Sequence, residues 1–213
     1  RNVAIEAATG DWVVMLDADE VIQQMADLRA FLLGEEAQRW TAFNVMFNNF
    51  DEAGRVTLAW QQIRIFKRTL YRYRHREHEL PYPLNPESAR ESSIVDCIFE
   101  HRPPTGREPG KMQPMIDRLA LDVQEHPGDP HPLYFLHRQY ALAGDWDHCI
   151  EVGRQYLARA GELGIDVCEC YGNLASAYLG KGDAQAAINC LQMALARQPE
   201  RRCWWIRLAE IFR

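Results

Sequence analysis

Apolar positions fall in short, dense runs over the first hundred residues and at helical spacing from residue 111 onward. Trp12, Val13, Val14, Met15 and Leu16 are five apolar residues in a row, the pattern of a strand covered on both faces. Before them, residues 1–10 read as a short helix closed by Gly10, so that helix, turn and strand make an αβ unit. Residues 27–37 predict a second helix. Residues 41–47 and 60–66 are rich in aromatic and β-branched side chains and predict strands. The Asp51-Glu52-Ala53-Gly54 stretch between them carries the residues of a hairpin connection, so the two strands are expected to pair antiparallel. Residues 93–101 predict one more strand. The Pro/Gly-rich residues 102–110 lack periodicity and read as a loop that ends the domain.

A helix is expected over residues 111–126, stopped by Pro127. Beyond it, Leu136, Tyr140, Gly144, Trp146 and Cys149 match Leu174, Tyr178, Gly182, Ala184 and Ala187 at an offset of 38 residues. In the second set, Tyr171, Leu174, Ala175, Tyr178, Gly182, Ala187, Leu191, Ala194 and Pro199 resemble the tetratricopeptide pattern, in which small residues let two antiparallel helices approach. The first repeat, residues 133–161, is looser and has Gly153 where a large apolar residue is usual; residues 162–165 supply the excess over a 34-residue period. Trp205, Leu208, Ala209 and Phe212 begin a third. The expected fold class is therefore α/β followed by all-α: residues 1–110 a mixed sheet with helices, and residues 111–213 a half-unit, two repeats and the start of a third. Tyr134, Phe135, Tyr140, Trp146 and Tyr178 are expected to be packing between helices, since each repeat buries one face on its neighbour.

Composition narrows the function classes. A net charge of -6 over 213 residues excludes a general nucleic-acid binder, so no nucleic-acid partner is expected. No apolar run approaches the roughly 20 residues of a transmembrane helix. Six cysteines without a Cys-x-x-Cys pair, mostly inside helical patterns, read as small buried hydrophobes in a reducing, cytoplasmic compartment.

The chemistry concentrates where the first strand ends, at Asp17-Ala18-Asp19-Glu20. Alternate residues of an extended chain point the same way, so Asp17 and Asp19 can converge on one hard divalent cation. A solvated turn, or the cap of a helix beginning near Val21, is the other reading of the same residues. Residues 1–21 as a whole, with Arg1-Asn2, Ala8, Gly10-Asp11-Trp12 and Leu16-Asp17-Ala18-Asp19-Glu20, resemble glycosyltransferase family 2. The resemblance implies a partial GT-A-like domain, a nucleotide-diphospho-sugar donor, a Mn²⁺ or Mg²⁺ ion and inversion at the anomeric carbon. Carried over residue by residue, it implies Asp19 as metal ligand, Asp17 toward metal and donor, and Arg1 and Asn2 near the donor nucleotide. The chain opens within the motif, so it reads as a fragment without the family's N-terminal nucleotide-binding strands.

Residues 71–80 hold three arginines, two histidines and two glutamates, the composition of a charged strand edge or of a site. Here His78-Glu79 resembles the family's His-Glu pair, which implies Glu79 as the base that deprotonates the acceptor, with His78 beside it. Family members often carry Gly and an apolar residue where this chain has His75 and Glu77. His101, closing residues 93–101, resembles the strand-end histidine that completes the cation's ligands. Arg102, Arg107 and Lys111 are either donor-phosphate contacts or solvated surface. Two functions are thus expected to compete: a metal-dependent inverting glycosyltransferase with an unknown acceptor, and a non-catalytic tetratricopeptide module with an incomplete transferase half. In both, a peptide or protein is expected on the repeats.

Overall fold

The computed structural model describes residues 1–23, 27–102, 112–161 and 167–213. It divides into two compact units: Arg1–Arg74 with Glu79–Arg107, and His75–His78 with Glu108–Arg213. Residues 103–111, with Arg107 and Lys111, and the insertion 162–165 lie outside the described residues.

The first unit is built on a five-stranded mixed sheet in the order β1-β4-β3-β7-β2. It opens with α1 (Asn2–Ala7), whose Ile5 is buried against Val13 and Phe66. The helix ends at Ala8, which is already extended, so Gly10 is not its cap as the sequence had predicted. β1 (Trp12–Val14) is shorter than the five-residue apolar run and lies at the sheet edge, paired antiparallel with β4 alone. Leu16 is exposed accordingly. A turn closed by Glu20 N–H donating to the Asp17 carbonyl (3.1 Å) leads into β2 (Glu20–Gln23), where a helix from Val21 was one reading.

The predicted helix over residues 27–37 is two pieces, α2 (Leu28–Leu33), capped by the Asp27 carboxylate, and α3 (Glu35–Gln38), separated at extended Gly34. β3 (Ala42–Phe50) and β4 (Val56–Lys67) form the expected antiparallel hairpin. The Asp51 carboxylate accepts from the N–H groups of Ala53 and Arg55 in its turn. β7 (Glu91–His101) inserts between β3 and β2, parallel to the first and antiparallel to the second, which sets His101 opposite Glu20. β5 (Tyr71–Arg74) and β6 (Leu80–Pro83) form a separate two-stranded sheet. One face of the large sheet buries Phe43, Val45, Phe47, Ile65, Cys97 and Phe99.

Among the described residues, the regular elements of the second unit are all helices. α4 (Met112–Glu125) precedes two pairs, α5 (Pro130–Ala143) with α6 (Trp146–Ala160) and α7 (Val167–Gly180) with α8 (Ala184–Arg197), followed by α9 (Arg202–Ile211). Gly144 and Gly182 take left-handed backbone at matching places in the two repeats, just past α5 and α7, where a side chain would be strained. Asp145 and Asp183 cap α6 and α8 through the N–H groups of His148 and Ala186. The unit is a tetratricopeptide-like stack of helical pairs. Ala175, Ala187, Leu191 and Ala194 are fully buried. Tyr134 is buried and Phe135, Tyr140 and Tyr178 are partly buried against the core, while the Trp146 indole lies over Gly180.

Candidate functional site

The turn 17–20, between edge strand β1 and strand β2, organises the charged residues of the first unit. Its backbone directs alternate carboxylates into two different clusters. Asp17 accepts from Arg1 Nη2 at 3.0 and 2.8 Å and also meets Arg64 Nη1 at 3.4 Å. Arg1 Nε reaches Glu79 Oε2 at 2.9 Å, and the guanidinium lies over the Tyr73 ring, 5.0 Å from its centroid. One arginine thus joins the Asp17 carboxylate to that of Glu79. Burial opposes the Arg1 charge, but Asp17, Tyr73 and Glu79 outweigh it and raise the pKa of the guanidinium.

Asn2, the other residue that the resemblance places near a nucleotide, is engaged with the main chain of β5. Its side chain pairs with the backbone of Tyr73 in both directions, Nδ2 donating to the carbonyl at 3.0 Å and Oδ1 accepting the N–H at 2.9 Å. It fastens α1 to β5.

Beneath Asp17, the buried Arg64 and Glu20 side chains meet at 2.6 Å, and Glu20 also accepts the Asp17 N–H at 2.9 Å. Burial is the largest influence on the Glu20 carboxyl and raises its pKa; the Asp17 N–H and Arg64 pull it down without reversing the direction. This buried pair was not singled out from sequence. Arg64 sits in a strand among apolar residues, and only its partner explains it.

Asp19 turns the other way. Its Oδ2 lies 3.1 Å from His101 Nε2, across the antiparallel β2 and β7 pair. The imidazole is oriented from behind by Asn49 Oδ1, 2.6 Å from Nδ1. The amide orientation is fixed in turn, because Asn49 Nδ2 donates to Thr57 Oγ1 (3.0 Å) while the Thr57 hydroxyl donates to the Asn49 carbonyl (3.1 Å). His101 Nδ1 must then be the N–H donor. In a neutral ring Nε2 aims a lone pair at a carboxylate oxygen, and only a proton or a cation between them makes that contact attractive. Asp17 does not complete this pair. Among the described residues, Asp17, Asp19 and His101 do not form a group of ligand atoms within 4.8 Å of one another, since Arg1 and Arg64 hold Asp17. Arg102 pairs with Glu100 at 2.8 Å and lies over Phe50.

His78 and Glu79 are neighbours in sequence that fall in different units. The His78 ring stacks on Phe135 of α5, with centroids 3.7 Å apart, and its carbonyl accepts from His131 Nε2 at 3.0 Å. Burial, with His131 and Arg138 nearby, pushes its pKa down to about 4. The ring is therefore a packed neutral group of the helical unit, a place that its expected role beside Glu79 does not require. Next to it, Arg76 donates its backbone N–H to Asp122 Oδ2 (2.7 Å) and sets its guanidinium on Asp122 (2.8 Å) and Glu125 (2.6 Å) of α4, while Glu77 pairs with Arg118 (2.5 Å).

No family model and no curated protein matches the chain. Among solved structures it is similar to the crystal structure of MamA, at 23% identity over 48% of this chain and 58% of that one, TM-score 0.44. It is also similar to MamA MSR-1 C2 (16% identity, 48% of this chain and 57% of that one, TM-score 0.43). A third likeness is to the N-terminal domain of stress-induced protein-1 from C. elegans (10% identity, 46% and 78%, TM-score 0.41). The chain spans less than two thirds of the length of either MamA chain. No helix among the described residues is long and apolar enough to cross a membrane. The chain's own residues thus build a mixed-sheet unit with two charged clusters about the turn 17–20, and a tetratricopeptide-like helical unit that holds residues 75–78.

Proposed function

We propose that the chain is a protein-interaction module whose helical unit binds peptide segments. The observation that carries this reading is the hold of α4 and α5 on His75–His78. Main-chain groups are taken at Arg76 N–H and His78 C=O, one guanidinium is clamped between two carboxylates, and one ring is stacked on Phe135. Main-chain hydrogen bonds with side-chain pockets between them are the ordinary means of reading a short peptide. The same face continues along the stack. At the 38-residue offset, Asn173 and Ser176 of α7 stand where Phe135 and Arg138 stand on α5, and Arg207 of α9 reaches the Ser176 hydroxyl. A peptide partner laid across α7 and α9 would find these donors and acceptors in a row.

Selection of a displayed peptide library on the whole chain tests the reading. Peptides should enrich, and the double substitution Asn173→Ala with Ser176→Ala should weaken their binding roughly tenfold or more without changing the helical signal. Failure to enrich, or binding indifferent to both substitutions, would overturn it.

A second reading is favoured by the Asp19–His101 pair: the sheet unit belongs to a metal-dependent inverting glycosyltransferase acting from a nucleotide-diphospho-sugar. Asp19 Oδ2 and His101 Nε2 offer an oxygen and an imidazole nitrogen, a set suited to Mn²⁺, with Mg²⁺ the harder alternative. Such an ion would neutralise charge on the departing diphosphate. In that reaction Glu79 would take the acceptor's proton, which requires an acceptor to displace the Arg1 guanidinium from it. Mn²⁺ titration followed by electron paramagnetic resonance should show one site lost in Asp19→Ala; an unchanged titration would remove the pair from any metal chemistry.

A further inference from the structure

We propose that His75, Asp122 and His126 form a second metal site, separate from Asp19 and His101, for a borderline-soft divalent ion such as Zn²⁺. One potential ligand atom from each of the three lies within 4.8 Å of the others. The inference does not depend on the function proposed above.

Three features make this more than a coincidence of polar side chains. Asp122 and His126 stand four residues apart, and His126 N–H donates to the Asp122 carbonyl at 2.9 Å, so the helical turn continues through His126 and both side chains share one face. His75 arrives from outside the helix with its side chain fully buried, and its ring lies edge-to-face on His126 at 5.2 Å. Finally, the nitrogen that His75 would offer is set by a carboxylate behind it. Asp129 Oδ2 lies 3.2 Å from Nε2, so Nε2–H is donated there and Nδ1 keeps the lone pair. A carboxylate orienting a histidine in this way is the usual outer support of a metal-bound imidazole.

Arg76 is the obvious competitor, since it already occupies Asp122. It uses one lone pair on each oxygen, Nη1 on Oδ1 and the backbone N–H on Oδ2. An ionised carboxylate offers about four such positions, so two remain for an ion. The local charge also permits a cation: Asp122, Glu125 and Asp129 are three carboxylates against the one guanidinium of Arg76. Two zinc ligands at about 2.1 Å from the ion stand no more than about 4.2 Å apart, so closure needs only small side-chain rotations. Two imidazoles, one carboxylate and a water complete a tetrahedron. The ion would fasten residues 75–78 to α4.

The test uses the whole chain carrying Asp19→Ala and His101→Ala, stripped of metal and titrated with Zn²⁺ or Co²⁺ alone. One equivalent should bind, Co²⁺ should give the intense visible bands of a four-coordinate ion, and histidine side-chain nitrogen resonances of His75 and His126 should move while those of His137 and His148 stay. His126→Ala should abolish binding, and Asp129→Asn should weaken it by about 10 to 100-fold. The resonance readout needs no ligand substitution, so it stands even if a variant fails to fold. Affinity weaker than roughly 10 µM, or movement of other histidines instead, would overturn the site.

Discussion

His137 and Gly153 exchange the sizes that Ala175 and Leu191 hold at the same positions one repeat later. A Cβ built on Gly153 would lie 2.7 Å from the His137 ring and 2.9 Å from Leu174 Cδ2. The imidazole fills the space that a large α6 residue would take, and its Nδ1–H donates to the Cys149 carbonyl at 2.8 Å. Gly153→Ala therefore sets a gain in helix propensity of about 1 kcal/mol against overpacking of about 1–3 kcal/mol. Overpacking should win, because both neighbours are buried and fixed, and urea unfolding should show a net loss. The double substitution His137→Ala with Gly153→Leu should recover most of it. A stabilised Gly153→Ala would sink this account.

Acid should loosen the helical unit before it reaches the carboxylate range. Burial lowers the pKa of His78, to about 4, and also those of His131 and His137. Each is held neutral in the folded state and binds a proton more readily when unfolded. The stability they contribute is complete above the ordinary histidine pKa of about 6.5 and is lost as pH falls toward the folded values. Asp129 follows the same sign lower down, its contribution disappearing between about 3.8 and about 2. Melting temperatures from pH 7.5 to 4.5 should fall, and His78→Phe should flatten the curve. A temperature that rises on acidification would contradict the assignment.

Asn49 should matter to any ion at Asp19 and His101 although it touches neither ion nor substrate. It selects the ring nitrogen that faces Asp19. Asn49→Leu is expected to weaken Mn²⁺ binding by about 10 to 100-fold with both direct ligands intact. Equal affinity in the variant, measured by titration, would leave Asn49 as a sheet residue only.

Asn2→Ala should free α1 without disturbing the large sheet. It removes two hydrogen bonds to the Tyr73 backbone, at a cost of about 1–3 kcal/mol. Faster hydrogen exchange at the Tyr73 amide, with Val45 unchanged, is the expected result; unchanged exchange at Tyr73 would show that Asn2 does not fasten α1 to β5.

The helical half was legible because its signals are periodic: the 38-residue offset, the paired glycines and the small residues all name the same stack. The β3–β4 hairpin was legible from its turn. What sequence could not show was partnership across distance. Asp17 and Asp19 alternate as expected, yet Arg1 and Arg64 hold one and His101 faces the other, since ion pairs form after the chain has folded and leave no spacing rule. His78 and Glu79 looked like one motif and fall in different units for the same reason. The apolar run from Trp12 predicted a buried strand; its neighbours made it an edge, with Leu16 exposed.

His75 and His78 both adopt left-handed backbone, with φ of 70° and 51°, a conformation that ordinary side chains avoid at about 1–2 kcal/mol each. The segment therefore does not choose its own shape. Cut out as a free peptide, residues 75–78 would abandon it, and a synthetic copy would compete poorly for α4 and α5 unless glycine or a D-amino acid at either end supplied the curvature. The helices act as a mould, and the information for the bend is stored in Asp122, Asp129, His131 and Phe135, far along the chain from the residues that bend.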